Sequence, residues 1–447
     1  MQRREFLERA VQTTALTALS AGRVLGANER IGVAVIGCGG RGIQVASGMR
    51  KGPDTEIRAV CDVYEANAEK AAEKLSERRA AMHKDFRRVL EMKDVDAVLV
   101  ATPDHWHAIP TVLACQAGKH VLVEKPFSLT IREGRAMVEA ARKHNRVVMP
   151  ATQHRSSPHI AEAARIVQGG EIGEVSFVRS WNSGNVSPNL VAPLPDSDPP
   201  PGLDWDFYLG PSPNAPFNRR RFLGSYRQFY DYAGGYITDF GNHRIDSVQQ
   251  IMNVTAPQTV SAVGRRVLKQ NVGDIFDLHI VTYEFPRFVF EYTANWSNGL
   301  GLGGRSGLNY YGMRGDHNRP HGFAFYGTKG TLFVDRIGHE IYPEVEPGRM
   351  YDDSGQIQVR YRMERKTFQG ADATELHAQN FIRHLRGEKA PADAETGHRS
   401  TSTCLLGTIA AKVGRKLKWD AEREDFVSDA EASRLLSRQA RKPWDLI

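Results

Sequence analysis

A short apolar run followed by a glycine-rich turn constrains the fold of this chain more than any other feature. Residues Ile31 to Ile36 have the β-branched, apolar composition of a buried strand, and the turn follows directly. A helical apolar period begins after the turn. Glycines in this context permit a tight turn, a close approach of the backbone to a pyrophosphate and close packing of helix on strand. The sequence therefore predicts a dinucleotide-binding loop with five candidate residues: Gly37, Gly39, Gly40, Arg41 and Gly42.

The residue after the next predicted strand indicates which dinucleotide the loop would hold. That strand runs from Glu56 to Cys61, and Asp62 follows it, 20 residues after Gly42. A carboxylate at this place accepts hydrogen bonds from the adenosine ribose hydroxyls and repels a 2′-phosphate. No arginine follows in Val63-Tyr64, so Asp62 favours NAD over NADP as the cofactor. Capping of a helix predicted from Glu65 to Arg79 remains an alternative role for Asp62.

Strands and helices then alternate as in a doubly wound parallel sheet. The predicted strands are Val95 to Ala101, His120 to Val123 and Arg146 to Met149, separated by helices that begin at Ile109 and Ile131. We therefore expect an α/β chain with an N-terminal Rossmann domain over residues 28–150. Loops at the carboxyl ends of strands line the ligand cleft of such sheets. These loops add six cofactor-binding candidates: Thr102, Pro103, His105, His107, Glu124 and Lys125.

Several motifs together resemble one enzyme family. They are Gly37-Cys38-Gly39-Gly40-Arg41-Gly42, Thr102-Pro103-Asp104-His105-Trp106-His107, Glu124-Lys125-Pro126, Gly234-Gly235-Tyr236-Ile237-Thr238-Asp239-Phe240-Gly241-Asn242-His243 and Tyr326-Gly327-Thr328-Lys329-Gly330. In these motifs the chain resembles the Gfo/Idh/MocA oxidoreductases, the group of glucose–fructose oxidoreductase and inositol dehydrogenase. The resemblance implies a nicotinamide-dependent enzyme acting on CH–OH groups. It also implies a C-terminal α+β domain over residues 151–447, with an open, mainly antiparallel sheet that completes the substrate site and pairs subunits into a homo-oligomer.

The resemblance assigns the catalytic group to Lys125, Asp239 and His243. Asp239 and His243 are four residues apart, so on one helix face the carboxylate could orient the imidazole or share a substrate hydroxyl with it. His243 would remove the hydroxyl proton as hydride leaves the same carbon, and Lys125 would stabilise the developing alkoxide. A surface helix pair and a solvated lysine are the structural alternatives. Asp246, on nearly the same face, is a second candidate for orienting the histidine.

The second half of the chain contains segments typical of antiparallel strands. They are Glu174 to Trp181, Asp277 to Phe285, Phe288 to Trp296, His321 to Tyr326 and Thr331 to Val334. Sugar pockets place aromatic faces against C–H edges and use Arg, Asn, Gln or His for hydroxyl groups. The candidates for substrate contacts are therefore Gln153, Arg155, Trp181 and Trp296. A role for either tryptophan in the core remains an alternative.

Composition excludes several other classes of protein. The chain has 447 residues, of which 41% are hydrophobic and 25% charged, as in a soluble globular protein of two domains. The net charge of +7 is modest for this length, and the basic residues are interleaved with acidic ones, so we expect no nucleic-acid partner. The four cysteines form no CxxC pair, and we expect neither a metal site nor a disulfide framework.

The amino terminus indicates export. Arg3-Arg4 is followed by Phe6-Leu7 and a weakly apolar run from Ala10 to Ala21, which resembles a twin-arginine signal peptide over residues 1–27. The expected location is the periplasm, where the protein would be soluble. Because a periplasm maintains no NAD pool, an exported enzyme should hold its cofactor tightly. A short amphipathic helix on a cytoplasmic enzyme is the alternative.

Three functions remain open at this stage. The first is a dehydrogenase that moves hydride between NAD and a secondary hydroxyl of a sugar, sugar acid or cyclitol. The second is an NAD-dependent glycoside hydrolase or lyase that works through a transient keto-sugar and returns the cofactor to its starting state. The third is a silent sugar or nucleotide sensor, which should have lost Lys125 or His243, yet both are present.

Overall fold

The structure is a computed structural model that describes residues 30–52, 55–185, 192–299, 321–336, 338–348 and 350–445. The signal peptide predicted over residues 1–27 lies outside these ranges. Within them, no helix has both the length and the apolar character needed to cross a membrane.

The first domain is built on a six-stranded parallel sheet with the strand order β3-β2-β1-β4-β5-β6. Its strands are β1 (Ile31–Ile36), β2 (Thr55–Cys61), β3 (Ala81–His83), β4 (Ala97–Val100), β5 (His120–Val123) and β6 (Val148–Pro150). Its helices are α1 (Gly40–Arg50), α2 (Glu65–Ser76), α3 (Phe86–Glu91), α4 (Ala108–Gln116) and α5 (Ile131–Lys143). The doubly wound parallel sheet is confirmed, and the sequence missed only the short elements β3 and α3.

The predicted central strands are correct because both faces of this sheet are covered. Every residue of β1 and of β4 is buried, as continuous apolar runs of parallel strands require. Helix α5 begins after Thr130, which forms a capping box with Glu133. Thr130 Oγ1 accepts a hydrogen bond from the Glu133 amide at 3.2 Å, and Glu133 Oε2 accepts one from the Thr130 amide at 3.1 Å.

The second domain contains an eleven-stranded mixed sheet, in which only the β7–β10 pair is parallel within the described part of the chain. Its main order is β17-β14-β13-β12-β7-β10-β9-β8-β18-β19, with β11 paired to β7. The strands are β7 (Val175–Asn185), β8 (Thr259–Arg265), β9 (Leu278–Glu284), β10 (Val289–Asn295), β11 (Ser297–Asn298), β12 (His321–Gly327), β13 (Gly330–Val334), β14 (Gly338–Pro343), β17 (Lys366–Gln369), β18 (Leu417–Asp420) and β19 (Asp425–Phe426). A separate hairpin contains β15 (Met350–Tyr351) and β16 (Ile357–Gln358). The expectation of a mainly antiparallel sheet is confirmed.

Helices cover one face of this sheet. The helices after β6 are α6 (Pro158–Gln168), α7 (Trp205–Leu209), α8 (Tyr236–Asp239), α9 (Gly241–Met252), α10 (Thr374–Leu385), α11 (Ala394–Val413) and α12 (Ala430–Arg434). Val281 and Tyr283 of β9 point into the helix-covered core, whereas Ile280, which precedes Val281, is 39% exposed. The sheet is therefore open on its second face.

The last third of the chain returns to the first domain. Ala378, Phe381 and Ile382 of α10 join the core formed by Val45 and Met49 of α1. The parallel sheet ends at Pro150, but its hydrophobic core is completed by residues more than two hundred positions later. This packing holds the two domains together along one side of a cleft.

Candidate active site

A cavity of about 590 Å³ runs along the carboxyl ends of the parallel strands and extends to the second domain. That volume lies within the range of roughly 300–1,000 Å³ typical of small-molecule sites. One end is lined by the glycine turn and Asp62, and the other by Lys125, Asp239 and His243. The cavity therefore joins the predicted dinucleotide loop to the predicted catalytic group.

The glycine turn has the geometry that a dinucleotide phosphate requires. Gly37 has φ +91°, and a Cβ built there would lie 2.5 Å from the carbonyl carbon of Ala101. A Cβ on Gly39 or Gly40 would meet no atom within 4 Å, so the space in front of α1 is open. The first turn of α1 carries neither an acidic residue nor a side-chain cap, which leaves its amide groups and positive dipole end for an anion.

Gly42 serves packing, because it does not line the cavity. A Cβ at Gly42 would lie 2.1 Å from the carbonyl oxygen of Gly37, so only glycine lets α1 approach β1 this closely.

His105, predicted to line the cofactor cleft, also lies away from the described cavity wall. Its ring is buried, and its Nε2 lies 3.0 Å from the Tyr208 carbonyl oxygen. Burial lowers the pKa of His105 to about 3, with Arg438 adding to the effect.

Asp62 links the glycine turn to the start of α2. Its Oδ2 accepts a hydrogen bond from the Cys38 amide at 2.8 Å, and its Oδ1 accepts one from the Tyr64 amide at 2.9 Å. Burial raises the pKa of this carboxyl, and the two amides act in the opposite direction. The N-cap residue of α2 is Tyr64, and no side chain caps that helix. Asp62 therefore lies at the cavity wall beside the turn, where a ribose would follow a bound pyrophosphate.

The Glu-Lys-Pro loop is fixed by an ion pair with the glycine turn. Arg41 Nε donates to Glu124 Oε1 at 2.6 Å, and Glu124 is 4% exposed. Thr102, Pro103 and His107 also line the cavity. The His107 ring nitrogens lie 2.6 Å from the Pro126 carbonyl oxygen and 3.0 Å from that of Thr102, which joins the two loops.

Lys125 and Asp239 form a largely buried ion pair at the far end of the cavity, with their side chains 12% and 13% exposed. Lys125 Nζ donates to Asp239 Oδ1 at 2.6 Å and to the Asp239 carbonyl oxygen at 2.7 Å. Arg227 Nε lies 3.2 Å from the same carboxylate oxygen. Burial alone would raise the pKa of Asp239, but Lys125 and Arg227 hold it well below its ordinary value. Asp239 is therefore an anion between two cations.

His243 is a neutral imidazole with hydrogen-bonding capacity to spare. The residue is 5% exposed, and its Nδ1 is buried without a hydrogen-bond partner. Burial, with Lys125 and neighbouring His154 adding to it, lowers the pKa of His243 well below its ordinary value. The two histidine rings lie 5.2 Å apart between centroids. The neutral ring therefore keeps one acceptor nitrogen at neutral pH, which is the form that a general base requires.

The interpretation in which Asp239 directly orients the His243 imidazole is wrong, whereas the alternative, in which both contact one substrate hydroxyl, stays a prediction. The helix is interrupted at Phe240, so that Asp239 ends α8 and His243 belongs to α9. Asp239 binds Lys125 and Arg227. Asp246 does not orient the histidine either, since it accepts hydrogen bonds from Arg155 Nε at 2.9 and 3.0 Å. The i, i+4 spacing could not reveal competing cations from distant segments.

Only one of the four substrate candidates lines the described cavity, namely Gln153. Gln153 is 4% exposed, and its Oε1 has no hydrogen-bond partner. Arg155 is committed to Asp246, while Trp181 is a buried residue of β7. Trp296 is 6% exposed, and its ring stacks on Tyr236 at 4.4 Å. The two tryptophans therefore belong to the core of the second domain.

Sequence reasoning missed three polar neighbours of the catalytic end: Asp104, Tyr226 and Arg227. The Tyr226 hydroxyl donates to Asp104 Oδ1 at 2.9 Å, and the Arg227 guanidinium lies 4.6 Å from the Tyr226 ring centroid. Burial raises the pKa of Asp104. Asp104 lies inside the Thr102-Pro103-Asp104-His105-Trp106-His107 motif, but no sequence motif marks Tyr226 or Arg227, which reach the cavity from a short 3-10 helix, Leu223–Gln228.

Comparison with known proteins agrees with this architecture. A family model described as an oxidoreductase family with an NAD-binding Rossmann fold matches residues 31–152. A second, described as the C-terminal alpha/beta domain of that oxidoreductase family, matches residues 189–286 and 342–446. Together the two models match most of the chain.

Curated relatives and solved structures extend the likeness. The scyllo-inositol 2-dehydrogenase (NAD(+)) of Bacillus subtilis is 28% identical over 372 residues, which cover 81% of this chain and 88% of the relative. The myo-inositol 2-dehydrogenase of Thermotoga maritima is 24% identical, over 85% of this chain and 95% of that protein. A levoglucosan dehydrogenase solved in complex with NADH and levoglucosan shares the fold, with a TM-score of 0.63 and 20% identity over 87% of this chain and 99% of that one. The chain belongs to the Gfo/Idh/MocA family of NAD-binding oxidoreductases.

Proposed function

We propose that this enzyme moves hydride between NAD and a secondary hydroxyl of a sugar, sugar acid or cyclitol, with Lys125, Asp239 and His243 as its catalytic group. The observation that carries the proposal is one continuous cavity. It contains an open glycine turn at one end and, at the other, a Lys125–Asp239 ion pair beside the neutral His243. The relatives named for inositol dehydrogenation support the substrate class.

Each side chain has a role that follows from its state. NAD, when bound, would accept the hydride from the carbon that carries the hydroxyl group. His243, which is neutral, accepts the hydroxyl proton in the same step. Lys125 donates a hydrogen bond to the substrate oxygen and stabilises the charge that develops there, while Asp239 holds the ammonium group in place. Arg227 shares the Asp239 carboxylate and so positions the pair from the opposite side.

Unpartnered polar atoms support a polyhydroxylated substrate. Gln153 Oε1, Thr102 Oγ1 and His243 Nδ1 are buried, belong to residues that line the cavity, and have no hydrogen-bond partner. Burying such atoms costs free energy unless a ligand pairs with them. Substrate hydroxyl groups would satisfy both acceptors and donors here.

We also propose that NAD is preferred to NADP and remains tightly bound. The Asp62 carboxylate at the cavity wall supports the preference, because a 2′-phosphate would meet a negative charge.

Arg3-Arg4 and the apolar run after it support export to the periplasm. Val263, Ile280 and Val289, which are exposed on the open face of the large sheet, support a homo-oligomer. Cell fractionation and size-exclusion chromatography test the last two points.

The experiment that tests the function uses the protein purified from an exporting host. The bound dinucleotide is first identified by mass spectrometry after denaturation. The native protein is then incubated with a panel of sugars, sugar acids, cyclitols and glycosides while the absorbance of reduced nicotinamide is followed. Persistent reduction supports the dehydrogenase. Glycoside cleavage without net reduction would replace it with the redox-neutral hydrolase or lyase, and binding without any turnover would indicate a sensor.

A further inference from the structure

Arg336 is a cation in the cavity that no acidic residue neutralises among the residues that the structure describes. The side chain lines the cavity, and its Nε is buried without a hydrogen-bond partner. Arg336 as a whole is half-buried, but a buried N–H of a charged group without an acceptor is costly, because its desolvation is not compensated. An anionic ligand group would compensate it.

The other lining cations all have acidic partners. Arg41 pairs with Glu124, while Lys125 and Arg227 share Asp239. Lys84, at the cofactor end, lies 3.9 Å from Glu65. Arg336 thus differs from every other lysine and arginine on the described cavity wall.

The lining acids are engaged elsewhere. Asp62 accepts from two amides, and Asp104 accepts from the Tyr226 hydroxyl. Asp372 accepts from the Thr374 amide at 2.9 Å and forms no ion pair with Arg336 within the described residues. No acid of the described cavity wall is therefore left for Arg336.

Arg336 belongs to the reaction end of the cavity. It follows β13, and the amide of the preceding residue, Asp335, donates to the Gly338 carbonyl oxygen at 3.0 Å. The Asp335 carbonyl oxygen lies 3.0 Å from His159 Nε2, which fixes this segment to α6. The charge of Arg336 contributes to the lowered pKa of His243 and to that of neighbouring His154.

We propose that Arg336 is a specificity-determining residue that binds a carboxylate of the substrate, so that this enzyme acts on a sugar acid. This inference rests on the proposed function and narrows its substrate class. One guanidinium group offers two parallel N–H donors, which match one carboxylate. The phosphate groups of the cofactor have a separate site at the glycine turn and the open end of α1.

The test compares acids with matched neutral amides. A panel of hexuronates and aldonates, each paired with its carboxamide, is assayed with the native protein and with Arg336→Gln. Arg287→Gln, at an exposed turn outside the cavity, serves as the matched control. We expect the native protein and the control to favour acids, and Arg336→Gln to lose about 10- to 100-fold in kcat/KM on acids with little change on amides. The NAD dissociation constant should be the same in all three proteins.

Other outcomes overturn the proposal. Equal activity of the native protein on acids and amides would remove the carboxylate preference, and weaker NAD binding by Arg336→Gln would assign Arg336 to the cofactor. A larger effect with sugar phosphates than with sugar acids would replace the carboxylate by a phosphate. If no panel member is oxidised at all, the proposed function fails. Calorimetric titration of the NAD-loaded protein with the same acids then still tests Arg336, since native binding that Arg336→Gln loses supports the site and absent native binding refutes it.

Discussion

The two ends of the cavity differ in how completely the protein satisfies its own polar groups. At the cofactor end, Asp62 accepts from two backbone amides and Arg41 is paired with Glu124. At the reaction end, Gln153 Oε1 and His243 Nδ1 are buried without hydrogen-bond partners, and Arg336 has no acidic partner among the described residues. At the cofactor end the charged side chains are paired within the protein and the open backbone amides of α1 are left for a ligand, whereas the reaction end leaves side-chain atoms for its substrate.

This difference predicts that cofactor affinity depends mainly on one end of the cavity and that substrate turnover depends mainly on the other. A prearranged framework lowers the cost of ordering a ligand and gives affinity. Unsatisfied groups at the reaction end gain their hydrogen bonds only when substrate is present, which gives specificity, and they add to the rate where these bonds strengthen in the transition state. Substitutions at the reaction end should therefore change kcat and leave the NAD dissociation constant unchanged, and substitutions at the cofactor end should change mainly the NAD dissociation constant.

The sharpest way to break the comparison is to remove the proposed base. His243→Ala should lower kcat by roughly 10²–10⁴-fold, because the substrate hydroxyl then loses its proton acceptor. The NAD dissociation constant, measured by fluorescence titration, should not change. His144→Ala, at the end of α5 and outside the cavity, is the matched control. Retained turnover in His243→Ala would remove the histidine from the catalytic group.

The Lys125–Asp239–Arg227 cluster should matter for stability as well as rate. Asp239→Asn leaves two cations without their shared carboxylate, and we expect the free energy of unfolding to fall by about 3–5 kcal/mol, as on breaking a buried ion pair. Chemical denaturation measures this loss. Glu91→Gln, which removes the exposed Arg88 pair, should cost less than about 1 kcal/mol. Equal costs in the two variants would mean that the cavity pair is as well solvated as a surface pair.

The cofactor end is tested by Asp62→Ala. We expect the NAD dissociation constant to rise by roughly 10- to 100-fold, since hydrogen bonds to a charged group are lost. The discrimination against NADP should fall, because the negative charge beside the 2′ position is gone. Glu56→Gln, near the start of the strand that Asp62 follows and outside the cavity, is the control. An unchanged NAD-to-NADP ratio would leave Asp62 with a purely structural role.

The smallest effect concerns pH and stability. The folded-state pKa values of His154 and His243 are lowered mainly by burial, whereas in the unfolded chain a histidine titrates near about 6.5. The unfolded state therefore binds more protons below that pH, and the stability present above it is lost as pH falls, by up to about 1.4 kcal/mol per pH unit for each histidine. Denaturation at pH 8 and at pH 5.5 should show a shallower loss in His243→Gln than in the native protein. The same slope in both would contradict a neutral His243 in the folded state.

The amino-acid sequence was sufficient for the first domain. Strand β1, the glycine turn and Asp62 are contiguous or separated by one crossover, and a buried parallel strand leaves a continuous apolar run. The sequence also predicted that Lys125, Asp239 and His243 lie at one cavity, because the family resemblance connects motifs that are distant along the chain. A strand or a turn can be predicted from the sequence because its backbone geometry depends mainly on residues that are close together in the chain.

Tertiary structure alone decided which partner each charged group selects. The spacing of Asp239 and His243 predicted a helical pair, but Lys125 and Arg227 arrive from other segments and bind the carboxylate more strongly than a neutral imidazole can. Likewise, Trp181 and Trp296 resembled sugar-stacking residues until packing placed them in the core. Arg336 has no motif around it. Its isolation from acids is a property of three-dimensional space, because the Coulomb energy depends on distance and burial and not on position in the sequence.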